Sequence, residues 1–102
     1  MVNILKMMKQ AASMQKNMET LQADLAGRTV EFSSGGGMVT AVARGDGTVA
    51  EIRIDPKVVD PADVEMLQDL VLAAVDGAIK GARDMAAAEM AKLTSGLGLP
   101  SM

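Results

Sequence analysis

The amino-acid sequence predicts an α/β fold of the α+β type, with a long N-terminal helix, a three-stranded antiparallel meander and a long C-terminal helix. Three observations carry that expectation. Apolar residues recur at helical spacing through the first quarter of the chain, and three short β-rich runs separated by glycine turns follow. A second helical run is then more apolar than packing on a small sheet requires. At 102 residues the chain fits one domain.

The first helix is expected over about 3–26. Ile4, Met7, Ala11, Met14, Met18, Leu21 and Leu25 alternate four- and three-residue steps, the seam of a helix seeking a partner, and Gly27 is placed to stop it. Methionine at helical spacing reads as core or dimer seam rather than as an adaptable surface, and Met8 lies off that seam.

Strands are expected over about 28–34, 38–44 and 48–54. Thr29, Val30 and Phe32 precede Gly35–Gly37; Met38, Thr40 and Val42 alternate with Val39, Ala41 and Ala43; Gly45, Asp46 and Gly47 turn the chain into a run where Ala50, Ile52 and Ile54 share a face. The three glycines form a turn, since neither a Gly-Lys-Ser/Thr nor a Rossmann spacing accompanies them. Arg44-Gly45-Asp46 is likewise hairpin chemistry rather than an adhesion signal.

Asp55 and Pro56 end the sheet, and Asp60 followed by Pro61 reads as a helix cap with proline at the first helical position. The second helix is therefore expected over about 61–93, within a domain spanning 1–93, with 94–102 as a flexible tail. Leu67, Leu70, Val71, Ala74, Val75 and Ala78 belong to a stretch apolar around most of its circumference, so they are the expected homodimer interface. Gly77 and Gly81, each costing about 1 kcal/mol inside a helix, anticipate the close approach of another helix.

Composition narrows function by exclusion. The chain has ten methionines, one phenylalanine and no Trp, Tyr, Cys or His. Disulfides, thiolate metal sites and histidine catalysis are thereby excluded, and a reducing, cytoplasmic setting fits. Asp55, Asp60, Asp63, Glu65 and Asp69 match no calcium-loop spacing and are explained by capping and solvation, so neither metal nor cofactor is expected. No enzyme, small-molecule substrate, secretion signal or membrane span is anticipated. Net charge is −3, yet Lys6, Lys9 and Lys16 all precede the first acid, Glu19, while 55–76 holds six acids against one lysine.

Three stretches carry a family resemblance. They are Met8-Lys9-Gln10-Ala11, the Gly35-Gly36-Gly37-Met38-Val39 turn, and Ile52-Arg53-Ile54-Asp55-Pro56 leading to Glu65-Met66-Leu67-Gln68-Asp69-Leu70-Val71. With the element order, they make nearly the whole chain resemble the YbaB/EbfC family of bacterial nucleoid-associated proteins. The resemblance implies a homodimer with projecting helical arms. It further implies duplex DNA as partner, bound in the nucleoid with little sequence preference, and an influence on nucleoid organisation and gene expression. Carried onto this chain, the arm positions of suitable charge are Lys6, Lys9, Lys16, Arg83 and Lys92, which would meet phosphates. Asp84 and Glu89 interrupt the late basic residues. The competing expectation is a protein-interaction module with methionine-rich arms and only weak or indirect DNA association.

Overall fold

A computed structural model describes residues 3–96, which form helix α1 (Ile4–Gly27), strands β1 (Thr29–Ser34), β2 (Val39–Arg44) and β3 (Val49–Ile54), and helix α2 (Val64–Gly96). Short 3-10 turns at Gly35–Gly37 and Pro56–Val58 join β1 to β2 and lead out of β3. The molecule is 73 Å long and only 25 by 16 Å across.

Helix α1 opens on Asn3, whose side-chain oxygen accepts the Lys6 amide at 3.1 Å. Gly27, expected to stop it, is itself the last helical residue and is not left-handed. The next residue, Arg28, is already extended and donates its amide to the Leu25 carbonyl at 3.1 Å. Each strand begins one residue later than expected because Arg28 caps α1, Met38 is helical in conformation, and Thr48 is held in the hairpin turn. In that turn the Asp46 carboxylate accepts from the Thr48 hydroxyl at 2.6 Å and from its amide at 3.0 Å, which holds the Asp46 carboxyl below its ordinary pKa.

The sheet is a meander in the order β1-β2-β3, antiparallel throughout. Val39, Ala41 and Ala43 form one face of β2 and are fully buried. Their cross-strand partners are Ser34, Phe32 and Val30 on β1, and Ile54, Ile52 and Val49 on β3. A bulge between Val42 and Ala43 shifts the register, so Val49, rather than the expected Ala50, sits opposite Ala43. On the opposite face Arg53 bridges Glu31 at 2.8 Å and Glu51 at 3.3 Å across the in-register Val42.

Helix α2 begins at Val64, three residues later than expected. The Asp60 carboxylate accepts the Ala62 amide at 2.9 Å within a turn, whereas that of Asp63 accepts the Met66 amide at 3.2 Å and caps the helix. Its far end continues through Thr94 to Gly96, so the first three residues of the anticipated tail are helical; 97–102 lie outside the described residues.

Small residues let α2 lie very close to β1 and β2. Ala74, Ala78 and Ala82 are fully buried over the sheet, and the glycines between them face β1. A methyl group at Gly77 would overlap the Phe32 ring, and one at Gly81 would come within 2.7 Å of Val30 Cγ1. The chain's own strand, rather than a second helix, accounts for these two glycines. The core is therefore thin, with Val39 as its largest fully buried side chain. At its other end the Ser34 hydroxyl donates to the Leu70 carbonyl at 2.6 Å, and Leu70 packs onto Gly35.

Candidate nucleic-acid interface

Helix α1 is attached to the body only at its C-terminal end. Every residue from Asn3 to Ser13 is exposed, Met14, Met18 and Leu21 are half-buried, and Leu25 alone is buried. The anchor is backbone as well as side chain, since the Gly45 amide donates to the Leu25 carbonyl at 3.0 Å where β2 turns into β3. A Cβ at Gly45 would sit 2.6 Å from that carbonyl and 2.9 Å from the Met85 methyl group, so the α1 end, the hairpin and α2 meet at one crowded point.

An ion-pair cluster spans the same junction. Arg28 reaches Asp24 at 3.6 Å and Glu89 of α2 at 3.2 Å, while Lys92 also reaches Glu89 at 3.2 Å. The Lys92 hydrogen bond, followed by that of Arg28, holds the Glu89 carboxyl below its ordinary value of 4.5. Spacing three apart in sequence makes the Lys92–Glu89 pair legible, whereas Arg28 as the tie between helices depends on the tertiary fold.

The expected DNA-contact residues therefore differ in circumstance. Lys6, Lys9 and Lys16 stand exposed on α1 with no ion pair among the described residues, as does Arg83 on α2. Lys9 and Lys16, seven apart, share a face about 10.5 Å apart along the axis, opposite the apolar seam. Lys92 is committed to Glu89. Lys80, one turn before Arg83 and equally exposed, has the same character and was absent from the expected set.

The expected interface residues divide as well. Ala74 and Ala78 have no exposed surface, because the sheet covers them, and they are unavailable to a partner; Leu70 is drawn toward the β1–β2 turn. Leu67, Val71 and Val75 instead line an open apolar groove of about 450 Å³ with Gln68 and Leu72. On the sheet face that α2 occupies, Val49, Ile52 and Ile54 of the edge strand remain about two-fifths exposed. On the body, the apolar surface most available to another chain is thus the flank of α2 beside β3.

Fold and site define a small α+β binding module with a lysine-bearing helix held out from its body. The chain belongs to the YbaB/EbfC DNA-binding family, whose sequence model matches residues 1–97, and is a DNA-binding protein rather than an enzyme. It is 55% identical over 96 residues to a nucleoid-associated protein of Acetivibrio thermocellus, covering 94% of this chain and 85% of that one. A nucleoid-associated protein of Ruminiclostridium cellulolyticum is 54% identical over 101 residues, 98% of this chain and 88% of its own length. The crystal structure of an uncharacterized Helicobacter pylori protein shares the fold at TM-score 0.81 and 19% identity, covering 91% of this chain and 98% of that one. No described helix is long and apolar enough to cross a membrane.

Proposed function

We propose that this protein is a nucleoid-associated homodimer that binds duplex DNA with little sequence preference through basic helical arms, and thereby influences nucleoid organisation and gene expression from within the cytoplasm. The observation that carries this reading is α1 itself. Its first acid is Glu19, and before it stand three exposed lysines on a helix tethered only at its far end.

Charge separation supports binding despite the net charge of −3. The acids Asp60, Asp63, Glu65 and Asp69 gather where α2 begins, while α1 joins α2 near Glu89, more than five turns further along. A polyanion approaching α1 meets lysine first. Lys6, Lys9 and Lys16, assisted by Arg83, neutralise phosphates and release counterions, a mode that positions the protein without reading base sequence. Lys92, engaged with Glu89, is the weakest contributor. Two chains joined through the groove lined by Leu67, Val71 and Val75 and the exposed face of β3 would double the number of lysines presented.

Fluorescence-anisotropy titration of a labelled duplex at about 50 and 200 mM salt tests the reading. With six lysines engaged per dimer, affinity is expected to fall by about 10³ between the two salts. The Lys6→Ala, Lys9→Ala, Lys16→Ala triple variant should lose both affinity and salt dependence. Absence of wild-type binding at the lower salt would overturn DNA as the direct partner.

A further inference from the structure

The lysines are not the only side chains that α1 holds out. Ile4, Leu5, Met7 and Met8 are between 55 and 70% exposed, more than most large apolar side chains of the body, and no acid accompanies them before Glu19. Two of the four, Leu5 and Met8, do not belong to a simple extension of the buried seam. That seam runs through Met14, Met18, Leu21 and Leu25, whose line reaches the first two turns at Met7 and Ile4. Leu5 and Met8 lie off it, and Ile4 joins Met8 at four-residue spacing. Leu5 is in turn four residues from Lys9, so the apolar patch and the lysine that follows it share one surface of the helix.

We infer that the patch of Ile4, Leu5 and Met8 is a wedge that enters bound DNA at a base step and unstacks it, bending the duplex, while Lys9 and Lys6 hold the flanking phosphates. The inference rests on the reading that α1 meets DNA and goes beyond it, because phosphate neutralisation alone needs no apolar side chain. Charge selects the occupant. A second copy offering the same tip would bring lysine against lysine, whereas a duplex offers phosphates to the lysines and, a few ångströms inward, aromatic base faces to the apolar groups. Aliphatic and thioether side chains are the residue types that other DNA-bending proteins drive between base pairs. The α1 N-terminus adds to the match, because its helix dipole is positive there and its first turn carries no acid.

Intercalation and phosphate contact separate experimentally. The variant Ile4→Gln, Leu5→Gln, Met8→Gln keeps every lysine and substitutes a good helix former at exposed positions, with circular dichroism checking that helicity is retained. In the full-length protein, duplex affinity is measured across a salt series, and bending is read by energy transfer between dyes at the two ends of the duplex. The variant should bind about tenfold or more weakly with an unchanged slope of log affinity on log salt, since no phosphate contact is removed. The energy-transfer change seen with wild type should disappear. Wild type should also favour duplexes with a central TA step over A-tracts, because TA unstacks at lower cost, and the variant should lose that preference.

A glutamine variant that binds and bends as wild type does overturns the wedge. So does one that keeps its bending but fails to co-sediment with phosphatidylglycerol vesicles that wild type binds, which would assign the patch to a lipid surface. Wild type that does not bind duplex at all defeats the DNA reading itself, a result distinguishable from failure of the wedge alone.

Discussion

Two glycines in helices separate propensity from packing. Gly77 lies in the middle of α2 with the Phe32 ring where a side chain would begin, while Gly27 lies in the last turn of α1 with open space around it and no left-handed conformation to maintain. Alanine favours a helix over glycine by about 1 kcal/mol at either place. At Gly77 that gain is outweighed, because the ring must leave its seat or α2 must lift off the sheet, and overpacking of this kind costs about 1–3 kcal/mol. Urea denaturation is expected to show Gly77→Ala less stable than wild type and Gly27→Ala unchanged or more stable by up to about 1 kcal/mol. Equal effects of the two substitutions would show that Phe32 does not hold the position described.

The beginning of α2 poses a similar choice between elements. Asp60 and Asp63 both carry capping chemistry, and Pro61 favours the earlier start. In the fold Asp60 closes a turn and Asp63 caps the helix. Asp63→Ala should therefore cost about 0.5–2 kcal/mol in thermal or urea unfolding and Asp60→Ala distinctly less; the reverse order would return the helix start to Pro61. The elements themselves were legible because period and turn chemistry agree along the chain, from the Met14–Met18–Leu21–Leu25 seam to the Gly45–Gly47 hairpin. What periodicity does not encode is which element takes a given apolar face. Ala74 and Val71 look alike as apolar helix positions, yet one is covered by the sheet and the other lines an open groove. Gly77 and Gly81 announced a close neighbour without saying that it was β1. The lysines of α1 were legible as charges ahead of any acid, whereas the engagement of Arg28 with Glu89 required two distant segments to meet.

At the scale of the whole molecule, the uncovered apolar surface is the central fact. Leu72 is 60% exposed and Ile52 44%, while among the described residues nothing larger than valine is fully buried. Exposed apolar side chains of this size gathered on the body point to an interface, and a second copy of the chain is the proposed occupant. Analytical ultracentrifugation should find wild type dimeric at micromolar concentration and the Leu72→Asp, Ile52→Asp double variant monomeric with its secondary structure intact. A well-folded monomeric wild type would remove the dimer from the proposed mechanism and leave each arm to bind alone.

The single anchorage of α1 has a mechanical consequence. From Leu25, pinned at Gly45, to Lys6 is 19 residues, a lever of about 28 Å. A tilt of about 10° at that pivot sweeps the tip through about 5 Å, comparable with the pitch of one helical turn. A small rotation at that one joint would therefore carry the tip a long way, and in the proposed dimer two such levers on a common body would form a caliper of adjustable jaw width. A rigid reader demands a fixed groove width and a fixed register; the proposed caliper would tolerate a range of both, so the low sequence preference proposed above would follow from leverage as much as from chemistry.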